Sequence, residues 1–160
     1  MILVDSREHQ HAIENILAAF DAAGVAHAST KLFVGDYQEV GNGLLVVDRK
    51  QSLSEVASNF CQQHERFRAE LERARSAGIR LVVLVEHSQQ IRSIEDVSGW
   101  KNPRLRISPG AMTGERMAKV MRTMTDRYGV EWQFCDKRHT GQRIMELLGV
   151  NDGKARLDQN

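Results

Sequence analysis

Apolar positions along the chain recur with two different periods, and the alternation between them lays out the fold. Met1 to Val4 opens as a short apolar strand. Ile13, Ile16, Leu17 and Phe20 then follow at spacings of three and four, the stripe of an amphipathic helix that Gly24 closes as a C-cap. Val25 to Phe33 mixes small, polar and β-branched residues and is expected to hold a strand leading to a turn at Gly35 and Asp36. Leu44-Leu45-Val46-Val47 is a continuous apolar run, expected as a central strand covered on both faces. Leu53, Val56, Ala57, Phe60, Phe67, Leu71 and Ala74 share one stripe of a single long helix, capped by Ser52 and stopped at Gly78. Leu81 to Val85 is the clearest buried strand, ending in Glu86, and His87 to Gly110 is irregular. Met117, Val120, Met121, Met124 and Tyr128 mark one face of a helix over 111–128, read as core packing. Val130 to Phe134 alternates as a half-buried strand, and Ile144, Leu147 and Leu148 stripe a last helix that closes at Gly149. Strands and helices alternate from end to end, which predicts an α/β sandwich around a central mixed sheet. The expected organisation is one domain over 1–149 and a flexible polar C-terminal tail over 150–160.

Composition narrows the classes. A chain of 160 residues, 41% apolar and 27% charged, makes one domain with a real core. No stretch approaches eighteen apolar residues and Met1-Ile2-Leu3-Val4 enters a strand directly, so neither a membrane partner nor a leader is expected. Only Cys61 and Cys135 occur, so a disulfide framework is not expected and the setting is read as cytoplasmic: nucleoid-associated in a bacterium, intracellular in the host for a phage. Two Cys-His pairs, Cys61 with His64 and Cys135 with His139, stand far apart in the sequence and read as core cysteines rather than a zinc site.

Net charge is only +1, but its distribution is uneven. Lys101, Arg104, Arg106, Arg116, Lys119, Arg122 and Arg127 face only Glu115 and Asp126 between Ser98 and Arg127, a candidate phosphate-facing surface. Trp100 is expected at the core edge. On the polar face of the long helix, the arginines and Glu65, Glu70 and Glu72 read as helix-stabilising pairs.

The chemistry gathers at Asp48-Arg49-Lys50. Side chains two apart on a strand share a face, so Asp48 and Lys50 point one way and Arg49 the other. Asp36, twelve residues upstream, leads through Gly41-Asn42-Gly43 into the same strand and can fold back beside Asp48. Two carboxylates sharing a small site repel and favour a proton or a hard divalent cation, and a lysine beside them can orient or deprotonate an attacking water. That set suits phosphodiester hydrolysis. Asp5 and Glu8 have the spacing of a capping box for the first helix. Glu86 either borders the site or is an exposed strand end.

Three ordered motifs sharpen this: Val4-Asp5-Ser6-Arg7-Glu8, Leu32-Phe33-Val34-Gly35-Asp36-Tyr37 and Val47-Asp48-Arg49-Lys50, before a long helix. Together they resemble the nuclease domain of the XPF-type structure-specific endonucleases, whose V-D-x-R-E, G-D-[YF] and E-R-K-x-x-x-D occur in this order. The resemblance covers most of residues 1–149 and implies a restriction-endonuclease-like three-layer sandwich, a central mixed β-sheet flanked by helices. Asp48 stands where that family has glutamate, and Ser54 stands where it has a last aspartate, with Glu55 the nearest acid. The resemblance implies that Asp36 and Asp48 hold Mg²⁺ or Mn²⁺, with the Arg49 carbonyl and with Glu55 and Glu8 as further candidate ligands. Lys50 would position the attacking water. Asp5 and Arg7 would stand behind them, Arg7 pairing with a carboxylate or the scissile phosphate, and Arg66 or Arg68 would approach from the helix. The implied substrate is double-stranded or branched DNA, cut to leave a 5′-phosphate. The implied partners are DNA, a second copy of the chain or another DNA-processing protein. The alternative is a catalytically silent DNA-binding or partner subunit.

Overall fold

The computed structural model describes residues 1–87 and 90–150. Its strands are β1 (Ile2–Asp5), β2 (His27–Thr30), β3 (Tyr37–Glu39), β4 (Asn42–Lys50), β5 (Arg80–Glu86) and β6 (Glu131–Cys135). Its helices are α1 (Gln10–Ala22), α2 (Leu53–Cys61), α3 (His64–Ser76), α4 (Ile94–Val97), α5 (Gly114–Tyr128) and α6 (Thr140–Leu147). The described residues form one six-stranded sheet in the order β2-β1-β3-β4-β5-β6. At its centre β3 pairs antiparallel with both β1 and β4, and parallel strands extend the sheet on both sides. This is the expected mixed sheet.

Alternation along the central strands feeds two cores. Val46, Val83 and Val85 point into one, under α2, α3 and α5, where Phe67, Leu71, Met117 and Met121 are buried. Val47, Val82 and Leu84 point into the other, under α1 and α6, with Ile13, Ile16, Phe20 and Ile144. The result is three layers. The methionine stripe of α5 is core, as its spacing predicts, and Trp132 donates its indole N–H to the Met121 carbonyl at 3.2 Å. Trp100 is partly buried against the same core.

Three expectations change. The single helix over 53–78 is two helices, parted at Gln62 and Gln63, whose backbone N–H groups both turn back to the Ser58 carbonyl at 2.8 and 3.1 Å. That double return ends α2 without a glycine or proline. Leu44 is not covered on both faces but 61% exposed, because pairing with β5 begins only at Leu45. The capping box of Asp5 and Glu8 does not form: α1 starts at Gln10 with His9 as its cap, and Asp5 is used elsewhere. Val150 packs against the α1–α6 core, and the rest of the expected tail, residues 151–160, lies outside the described residues. No helix among the described residues is long and apolar enough to cross a membrane.

Candidate active site

The site begins with one turn that only glycine can make. Gly35 adopts φ +65°, and a Cβ there would collide with Val46 Cγ1 and sit 3.1 Å from the Val47 carbonyl oxygen. The turn runs straight into β3, where Tyr37 pairs with Val47, so Asp36 comes to rest beside Asp48 across the ladder. Asp36 is fixed from several directions. Its N–H donates to Val47 O at 2.9 Å, its carbonyl accepts from Asp5 N–H at 2.8 Å, and its Oδ2 accepts from Arg49 N–H at 2.7 Å.

On β4, Asp48 and Lys50 share the face that looks toward α2 and α3. Both are buried, at 3% and 8% exposure. Lys50 Nζ lies 2.8 Å from Asp48 Oδ2 and 5.5 Å above the centre of the Phe67 ring. The contact with Oδ2 lacks hydrogen-bond geometry, so this buried oxygen has no hydrogen-bond partner among the described residues. Burial pushes the Asp36 carboxyl well above the usual carboxylate range, and the charges of Asp48 and Glu8 push it further; the Arg49 N–H offsets only part. For Lys50, burial works against the charge, but the Asp48 carboxylate outweighs it and holds the ammonium above its ordinary pKa.

Arg49 points the other way and is closed in. Its Nη2 reaches Glu8 Oε2 at 3.0 Å and its Nη1 reaches Glu86 Oε1 at 3.2 Å. Thr140 Oγ1 donates to the same Glu86 oxygen at 2.9 Å, and the Tyr37 hydroxyl donates to Glu8 at 3.4 Å. Glu86 is therefore not an exposed strand end. It is 3% exposed, on the opposite face of the sheet from Asp48. Asp5 is also buried: it accepts from Arg7 N–H at 3.0 Å and forks with the Arg7 guanidinium. Burial opposes the Asp5 charge, yet Arg7 holds its carboxyl below the usual range.

Arg7, Glu8, Asp36, Asp48, Arg49, Lys50 and Glu55 all line one cleft of about 240 Å³. Asp5 stands behind it, holding Arg7. The carboxylates of the two further candidate ligands are engaged: Glu8 with Arg49, and Glu55 with the Gln51 N–H at 2.7 Å, while the Ser52 hydroxyl caps α2 by accepting from the Glu55 N–H at 3.1 Å. Ser52-Leu53-Ser54-Glu55 carries that capping signal openly. No group of three or more His, Cys, Asp or Glu side chains able to hold a metal occurs among the described residues.

The basic cluster does not join the cleft. Lys101, Arg104, Arg106, Arg116, Lys119 and Arg122 are exposed and none lines it. Arg104 borders a separate, more apolar cleft of about 460 Å³ between α2 and residues 102–112, and Arg122 pairs with Glu95 at 3.4 Å. Of the two helix arginines, Arg66 lines the cleft, whereas Arg68 pairs with Glu72 at 3.4 Å on the surface. Sequence reasoning missed Asn59, Gln63, Glu70 and Arg73 in the cleft wall. Gln63, Arg66, Glu70 and Arg73 recur at three and four, so a polar stripe was the available signal. Glu70 in particular is not a helix-stabilising partner: it accepts from the Gly35 N–H at 3.0 Å.

The ERCC4 domain family matches residues 4–147. Among solved structures, XPF from Aeropyrum pernix superposes with a TM-score of 0.65 at 19% identity, over 99% of this chain and 65% of that one. XPF from Aeropyrum pernix in complex with DNA gives 0.64 at 19% identity, over 99% and 66%. The chain thus spans just under two thirds of the length of those relatives. No curated protein matches the sequence. At this identity the likeness is one of fold, the restriction-endonuclease-like three-layer sandwich.

Proposed function

The chain belongs to the ERCC4 domain family, and from that premise we propose that it is a metal-dependent DNA endonuclease, hydrolysing phosphodiester bonds in branched or flap-containing DNA during repair, recombination or replication. One observation carries this reading: Asp36, Asp48 and Lys50 converge on a single cleft, and burial with mutual repulsion lifts the Asp36 carboxyl.

The residues present fit a hard divalent cation. Asp48 Oδ2 is buried without a hydrogen bond, and the two carboxylates would be relieved by positive charge between them. Asp36 and Asp48 would hold Mg²⁺ or Mn²⁺, with the Arg49 carbonyl, and two carboxylates suffice because magnesium keeps several waters. When bound, the cation polarises the phosphoryl oxygen and neutralises developing charge.

The rest falls to the chain. Lys50, whose ammonium the Asp48 carboxylate favours against the cost of burial, would donate the hydrogen bond that orients the attacking water. Phe67 and Asp48 fix its ammonium in place. Arg7, clamped by Asp5 through Nε and Nη2, presents the rest of its guanidinium to a phosphate at the cleft rim. Arg49 supports Glu8 and supplies the N–H that orients Asp36.

The test is cleavage of labelled duplex, splayed-arm, 3′-flap and four-way-junction DNA with Mg²⁺ or Mn²⁺, using the native chain, Asp48→Asn and Lys50→Ala. Metal-dependent cutting that both variants lose by at least about a hundredfold supports the enzyme. Binding of these DNAs without cutting, equal in all three proteins, replaces it with a silent DNA-binding partner subunit.

A further inference from the structure

We propose that Glu70 is a positioning residue for the acidic pair: its carboxylate, reaching from α3, clamps the Gly35 backbone and so sets where Asp36 stands against Asp48. The consequence for cleavage rests on the nuclease reading above; the clamp itself is a matter of geometry.

The Gly35–Asp36 turn is held to the sheet by bonds to Val47, Asp5 and Arg49, all on neighbouring strands. Its bond to the helical layer is the one from Gly35 N–H to Glu70 Oε1, at 3.0 Å. Gly35 is buried, so an N–H left unpaired there has no ready water to replace its lost partner. Gly35 itself has no side chain with which to find another anchor, because the positive φ and the closeness of Val46 exclude one.

Glu70 has alternatives that it does not take. Arg66 and Arg73 stand four and three residues away, at helix-pairing distance, yet no ion pair to Glu70 forms among the described residues. Two residues on, Glu72 makes the ordinary surface pair with Arg68. The break at Gln62 and Gln63 separates α3 from α2, and one face of α3 serves the site twice. Phe67 lies under the Lys50 ammonium, and Glu70, one turn later, holds the turn that carries Asp36. The Glu70 charge also adds to the larger effects of Asp5 on Arg7 and of Asp48 on Lys50.

Glu70→Gln keeps an acceptor oxygen for the Gly35 N–H and discards the charge; Glu70→Ala discards both. The measurements are hydrogen exchange at the Gly35 amide, Mn²⁺ binding to the metal-free protein without DNA, and junction cleavage. We expect Glu70→Ala to speed Gly35 exchange about tenfold, the worth of one hydrogen bond, and to weaken Mn²⁺ binding about tenfold, as loss of a ligand's supporting partner does. Glu70→Gln stays within about twofold of native in both. The idea is overturned if Glu70→Ala keeps native Gly35 protection and Mn²⁺ affinity, or if Glu70→Gln fails as badly as Glu70→Ala, since charge rather than the clamp would then matter. Should the native chain cut no DNA, the nuclease reading falls while the Gly35 exchange comparison still decides the clamp.

Discussion

Consecutive residues of β4 serve two opposite environments. Behind the sheet, two carboxylates share one arginine: Arg49 meets both Glu8 and Glu86, Thr140 and Tyr37 add hydrogen bonds, and Glu86 Oε2 is left without one among the described residues. In front, Asp48 and Asp36 share one lysine, Asp48 Oδ2 lacks a hydrogen bond, and the Asp36 carboxyl is driven upward. The strand thus spends one face on cohesion and the other on tension. The difference is one of reach: the Arg49 guanidinium bonds both of its carboxylates, whereas the Lys50 ammonium pairs with Asp48 and makes no ion pair with Asp36 among the described residues, which leaves Asp36 under the repulsion of Asp48 and Glu8.

The sharpest break of this contrast is Arg49→Met. It leaves Glu8 and Glu86 without their cation and should cost about 3–5 kcal/mol, read as a lower urea midpoint. A loss under about 1 kcal/mol would mean the rear network is not structural. Next comes Asp48→Asn on the front face. Its cleavage should fall at least about a hundredfold, some 2.7 kcal/mol in barrier, with a melting temperature equal to or above native. Melting as low as Arg49→Met would erase the distinction between the faces.

A smaller effect separates the acids by pH. The folded-state pKa of Asp36 is raised above 3.8, so between that value and the raised one the folded chain holds a proton the unfolded chain releases. Stability should therefore decline as pH rises through that window, and metal-free Asp36→Asn should lose the decline. Asp5 has the opposite sign: burial works against its charge, but Arg7 holds it below 3.8, so its contribution is present above 3.8 and vanishes as the pH falls through its depressed value. Asp5→Asn should flatten that acid limb. Smallest of all is Arg68→Ala. Both it and Glu72 are more than half exposed, so removing the pair should change stability by no more than about 0.5 kcal/mol, a surface baseline beside Glu70.

The front face was legible in the sequence because strand alternation is a strict period of two. Asp48 and Lys50 could be set on one face of β4 by that rule, whereas the Gly35–Asp36 turn was marked by its residue types and by the motif resemblance, and the burial of Val46 and Val47 follows from their place in a continuous apolar run. The helical wall was not. A polar stripe looks the same whether it faces water or a cleft, and the break at Gln62 and Gln63 carries neither glycine nor proline. The rear network was hidden for another reason. Glu86 and Thr140 meet across 54 residues, a contact fixed by strand order and by the docking of α6, not by any local pattern. Basic residues over 98–127 were visible as composition, but composition does not say which surface they reach.

The hairpin that joins the two acids has its bend at the far end from them. Asp36 immediately precedes β3 and Asp48 lies near the close of β4, while the chain reverses at Val40 and Gly41, both solvent-exposed. The number of residues between the acids is therefore a property of the hairpin's length, and their meeting is a property of its register. Extra residues spliced after Gly41 would cost only about 0.6 kcal/mol for each doubling of the loop. A tag or module inserted at that reversal is therefore expected to leave the shape of the cleft unchanged.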